Sequence, residues 1–168
     1  ADVPDGTSTG PGPGGGGGMW GDGTAGMNYL GPDTTLYKKY YTLKSSGRTD
    51  PWQQLIQACK ILNTSGSSLE TEAPKYFDID KILWHLACEI AFGDDDSYVY
   101  KGKMDYYLYQ DAETNRWATY DYDANSTLLS QHTTWSPFYN ETKVNYPLLN
   151  KLLAIPAFRQ RYIAHMKT

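Results

Sequence analysis

"FDIDKILWHLACEIAFGDDDSY", residues 77–98, joins a strongly apolar helical pattern to the start of an acidic run, and its reading decides what kind of domain the chain builds. Asp78 stands where a helix N-cap belongs and Gly93 where a helix stops. Between them Ile79, Ile82, Leu83, Trp84, Leu86, Cys88, Ile90 and Phe92 cover most of the helix circumference. Such a helix belongs at the centre of a domain, so nearly full burial is expected. Only Lys81, His85 and Glu89, each four apart, form a narrow polar strip. That strip reads as a solvated stripe with i,i+4 pairing, outside any site.

The patterns on either side supply partners for this helix. Upstream, "DPWQQLIQACKILN" (50–63) places Asp50 as N-cap, Pro51 at the first helical position, and Trp52, Leu55, Ile56, Cys59 and Leu62 on one face. Downstream, "MDYYLYQ" (104–110) and "RWATYDYD" (116–123) are aromatic-rich runs joined by "DAETN", which suits an antiparallel hairpin whose aromatics form core rather than a base-stacking platform. "PLLNKLLAIPAFRQRYIAHMKT" (147–168) offers a helix from Pro147 and a second from Pro156, with Phe158, Tyr162 and Met166 on one face. The expected fold is α+β and mainly helical, with a central buried helix and one antiparallel β-hairpin, over residues 28–168. Residues 1–27 form a Gly/Pro-rich extended arm or linker with almost nothing to bury, best held by lying along another surface, such as a partner's.

With 168 residues and 40 % apolar content, the chain suits one domain with a sizeable core. A net charge of −4 and a pI near 5.3 argue against nucleic acid as a partner. No apolar run approaches the ~20 residues of a membrane span. Cys59 and Cys88 lie inside apolar helical patterns and read as buried thiols rather than as a disulfide. Sequons at Asn63, Asn125 and Asn140 lean towards a secretory, extracellular or cell-surface route. The start at Ala1, without Met or a leader pattern, reads as a processed product or fragment.

Two acidic segments carry the candidate chemistry. Asp94, Asp95 and Asp96 follow the stop of the central helix, and Asp121 and Asp123 end the second strand. Loops at element ends can converge, and Mg²⁺ carrying nucleotide phosphates takes only one or two protein carboxylates. A solvated turn is the bland alternative. A calcium loop is another, since Asp121, Asp123 and Asn125 match the first ligand positions of an EF-hand; but Ser126 stands where Gly is needed and His132 where the bidentate Glu belongs.

Taken together, "NYLGPDTTLYKKYYTLK", "PWQQLIQACKILN", "FDIDKILWHLACEIAFGDDDSY", "DYYLYQDAETNRWATYDYD" and "PLLNKLLAIPAFRQRYI" follow the order and spacing of a known pattern. The chain resembles the C-terminal half of the CotH family, the spore-coat-type atypical protein kinases, from about Asn28 to Met166. The resemblance implies a kinase-like C-lobe using ATP with Mg or Mn to phosphorylate protein Ser or Thr. It implies Asp96, in "DSY", as the catalytic aspartate beside the acceptor hydroxyl, Asp121 and Asp123 as the metal-binding pair, and the position of Asp105 as cofactor-binding. The chain departs from the family pattern at three places: Asp105 replaces an Asn, Tyr120 a Trp, and "STLL" a Phe-Gly. A complete kinase also needs an N-lobe with a phosphate-binding lysine, and no lysine precedes Lys38. The expectation is therefore a kinase half that is inactive alone and needs an N-lobe partner. The alternative is a degenerate domain serving as a structural or assembly subunit whose Gly-rich arm contacts a partner, and a Ca²⁺-binding cell-surface module ranks behind both.

Overall fold

The computed structural model describes residues 25–45, 47–100 and 105–168, so most of the Gly/Pro-rich arm lies outside the described residues. The architecture is α+β, with six helices and one two-stranded antiparallel sheet among the described residues. The helices are α1 (Thr34–Tyr37), α2 (Pro51–Thr64), α3 (Leu69–Tyr76), α4 (Ile79–Phe92), α5 (Pro147–Leu152) and α6 (Pro156–His165). The strands are β1 (Tyr106–Gln110) and β2 (Trp117–Asp121), paired from Tyr106 opposite Asp121 to Gln110 opposite Trp117.

Local chemistry sets the ends of the helices. The Asp50 carboxylate accepts the Gln53 N–H at the start of α2, and Asp78 accepts the Lys81 N–H at the start of α4. At the far end of α4, Gly93 is left-handed (φ 58°), its N–H bonds to Ile90 O, and the Asp94 N–H bonds to Glu89 O. This pairing satisfies carbonyls that the helix end would otherwise leave open. A Cβ on Gly93 would sit 2.9 Å from His132 Cβ, so glycine is required twice over, by conformation and by space.

α4 packs against β2 and α6, while α2 packs against α1, α3 and α5. Ile82, Leu83 and Leu86 of α4 are fully buried, together with Phe77, Tyr98, Tyr106, Leu148 and Tyr162. Burial of α4 is less complete than its sequence suggests, because Trp84 is 38 % and Phe92 52 % exposed. Trp84 stacks on His165 of α6 with ring centroids 4.2 Å apart, which covers one of its faces. The hairpin is likewise two-sided. Tyr106 and Trp117 enter the core, whereas Tyr109 and Tyr120 form an outward edge-to-face pair, as do Tyr107 and Tyr122. Cys59 is a buried free thiol as expected, but Cys88 is an exposed one, on the outer side of α4.

The first described residues are tied into this core. Tyr98 Oη donates to Gly26 O, Tyr106 Oη donates to Ala25 O, and the Met27 N–H donates to Tyr41 Oη. Ala25 and Met27 are fully buried.

Candidate functional site

The turn at Gly93 sends the acidic segment back along α4 instead of out into solvent. Asp94 and Asp95 are buried, at 2 % and 7 % exposure, so the run is no solvated turn. Asp94 Oδ1 accepts the Asp96 N–H at 3.2 Å, and Asp95 Oδ1 lies 2.5 Å from His132 Nε2. The segment after β2 meets it. The Asp95 N–H donates to Ser126 O (3.1 Å), the Leu128 N–H donates to Phe92 O (2.7 Å), and Ser126 Oγ lies 2.9 Å from Asp96 Oδ2. The two acidic segments therefore converge.

The four residues singled out from the sequence fall into different surroundings. Asp96 and Asp123 are linked through a relay of side chains: Ser126 Oγ lies 2.9 Å from both Asp96 Oδ2 and Asn125 Oδ1, and the Asn125 amide donates to Asp123 Oδ2. Asp123 Oδ1 also accepts the Asn125 N–H, closing a tight local turn. Asp121, exposed at the end of β2, lines a cavity of about 340 Å³ against the last turns of α4. Asp105 sits one residue before β1 in the left-handed region (φ 53°), its carbonyl accepting the Tyr122 N–H.

That cavity is also lined by His85, Glu89 and Asp94, which lie outside the expected site. The reading of Lys81, His85 and Glu89 as a solvated stripe is corrected here. Lys81 is exposed, but His85 and Glu89 are buried. His85 Nε2 lies 2.8 Å from Glu89 Oε1, an ion-pair contact without the alignment of a hydrogen bond. Glu89 Oε1 also receives the Tyr98 N–H at 3.4 Å, while Glu89 Oε2 is buried with no hydrogen-bond partner. The signal in the sequence was a polar strip on a helix otherwise apolar all round, since such a helix leaves its polar strip little solvent to face.

Asp94, His85 and Cys88, three of the groups lining the cavity, hold their protons more tightly than usual. Burial pushes the Asp94 carboxyl up to about 6; the Asp96 N–H opposes this, and the charges of Glu89, Asp121 and Asp96 add to it. For His85 burial favours the neutral ring, but Glu89, with help from Asp121, outweighs it and the pKa rises. Burial, then the Glu89 and Asp121 charges, also raise the Cys88 thiol, which argues against a reactive thiolate. A second cavity, about 450 Å³ between α2 and α5–α6, lies apart from the acidic segments.

Among the described residues no group of three or more His, Cys, Asp or Glu side chains is arranged to hold a metal ion. A divalent ion that arrives on a nucleotide needs less from the protein, because it takes most of its ligands from phosphate and water. Glu89, Asp94 and Asp121 without a cation would repel a bare triphosphate. A family model described as CotH kinase protein matches residues 25–168. No curated protein matches the sequence.

Proposed function

Because the chain belongs to the CotH kinase family, we propose that it provides the carboxylate half of a phosphoryl-transfer site, with ATP as donor and protein Ser or Thr as acceptor. The convergence of the two acidic segments, joined by the Asp95 N–H to Ser126 O and by Ser126 Oγ beside Asp96, carries this reading. In it Asp96 positions the acceptor hydroxyl, Asp121 and Asp123 hold the divalent ion, and Asp105 faces the nucleotide. Bound Mg²⁺ or Mn²⁺ would offset the charge of the phosphates. The protein's own contribution is to orient and to exclude water, in line with how phosphoryl transfer is catalysed. An N-lobe supplying a phosphate-binding lysine completes the site, so residues 1–168 alone neither bind ATP tightly nor label protein. Incubation with Mg²⁺ or Mn²⁺ and radiolabelled ATP, with and without a CotH N-lobe, tests this. Labelling restored by the lobe and lost in Asp96→Ala supports the reading, whereas robust labelling by the chain alone, abolished by Asp123→Ala, shows that these residues suffice.

A structural or assembly role is the second reading, favoured by Glu89 and Asp94, buried acids whose only basic neighbour in the cavity lining among the described residues is His85. In that reading the Gly-rich arm lies along a neighbouring protein.

A further inference from the structure

The chain carries Asn-x-Ser/Thr sequons at Asn63, Asn125 and Asn140, and the structure gives their amides unequal surroundings. An N-linked glycan replaces one of the two hydrogens on the amide nitrogen, so a site needs a nitrogen that reaches solvent and a hydrogen the fold can spare. Asn63 offers neither. It lies half-buried in the last turn of α2, and its amide donates to both Met27 O (2.8 Å) and Cys59 O (2.7 Å). Both acceptors belong to fully buried residues, and a sugar would remove one of the two bonds. Asn140 is half-buried and left-handed (φ 61°), and its amide donates inward to the carbonyl of fully buried Val99 at 2.8 Å.

Asn125 differs on each count. It is exposed, in the irregular segment after β2, and its amide donates once, to Asp123 Oδ2 at 3.0 Å. The second hydrogen has no acceptor among the described residues. The one acceptor is a side chain of the same turn, so water can replace that bond without disturbing the core.

We propose that Asn125 is an N-glycosylation site, and that on passage through a secretory lumen it is the one sequon of the three that the folded domain carries in glycosylated form. The donor is a lipid-linked oligosaccharyl diphosphate. The bond from Asn125 Nδ2 to the anomeric carbon forms as the bond from that carbon to the diphosphate oxygen breaks; the lipid diphosphate leaves and the amide nitrogen gives up one proton, with no change of oxidation state. Transfer reaches the chain before it has folded, so folding sorts the products. A sugar on Asn63 or Asn140 opposes burial of the nitrogen that carries it, whereas a sugar on Asn125 projects into solvent. The inference does not rest on the phosphoryl-transfer reading, although the glycan would stand next to Ser126, whose hydroxyl lies 2.9 Å from Asp96 Oδ2.

The test expresses residues 1–168 behind a cleavable secretory signal in a eukaryotic host, releases N-glycans enzymatically in heavy-oxygen water, and maps the labelled peptides in the secreted and the cell-retained protein. Label is expected at Asn125 in the secreted protein, with Asn63 and Asn140 unlabelled there. Thr127→Ala, which keeps Asn125 but destroys its sequon, should bring the secreted protein to its deglycosylated mass, and Asn63→Gln should leave the glycan in place. The retained fraction keeps the test decisive where secretion is poor. Asn125 bare in both fractions overturns the proposal, as does a secreted protein in which Asn63 or Asn140 is occupied as fully as Asn125. The kinase reading survives either result, because it is decided by labelling with ATP.

Discussion

His85 and Glu89, one turn apart on α4, face each other across 2.8 Å in the interior of the domain, with Asp94 on the wall of the same cavity. Their charges make stability depend on pH in one direction. A group that binds its proton more tightly folded than unfolded stabilises the fold fully only below its unfolded pKa, and that contribution is lost as pH rises through the folded value. For Asp94, raised from 3.8 to about 6, the loss spans that interval; for His85, raised from 6.5, it begins there and continues upward. Urea midpoints measured from pH 4 to 8 should therefore fall in two stages, after allowance for the other carboxylates. Asp94→Asn should flatten the lower stage and His85→Gln the upper. A midpoint that rises through both windows in the parent and is unchanged in the variants would contradict the assignment.

Gly93→Ala is expected to destabilise by about 2 kcal/mol or more, since a side chain in the left-handed region costs roughly 1–2 kcal/mol before crowding is added. The crowding is specific, because the new Cβ meets His132 Cβ at 2.9 Å. Urea denaturation measures it, and Gly93→Asn, which tolerates the conformation better but carries the same Cβ, separates the two causes.

Leu128 presents the opposite case. It is left-handed (φ 58°) yet 73 % exposed, within the "STLL" that stands where the family pattern has Phe-Gly. Leu128→Gly removes conformational strain at little cost in burial, so stability should rise by up to about 1 kcal/mol. A loss beyond about 1 kcal/mol in the urea midpoint would mean that the side chain packs in solution.

Tyr98→Phe should cost about 2–3 kcal/mol, because two buried backbone groups lose their partner at once. The hydroxyl donates to Gly26 O at 3.1 Å and accepts the Leu148 N–H at 2.9 Å. Amide exchange should accelerate at Leu148 first. A variant as stable as the parent would require water to replace both bonds.

Features with local causes were legible in the sequence. Asp50 with Pro51, Asp78 with Gly93, and the alternation around "DAETN" declare their elements within a few residues, and those elements are present. α3 was not foreseen, since Pro74 inside it reads as a breaker; it lies in the last turn, where a single lost backbone bond is tolerable. The cavity was hidden for a different reason. Whether His85 and Glu89 face water or an interior depends on which elements pack over α4, and periodicity identifies a polar strip without saying what covers it. Asp94 was counted among the acids, but its burial follows from the return of the chain at Gly93 and from the segment at Ser126, a contact between residues far apart in the chain.

The hydroxyls of Tyr41, Tyr98 and Tyr106 that clasp residues 25–27 give the domain a particular response to pulling. Force that reaches residues 25–27 is borne by three bonds inside the core, two of them on tyrosines that follow α4. At this edge of the domain the resisting element beside the acidic cavity is a clasp of phenols rather than a turn of backbone.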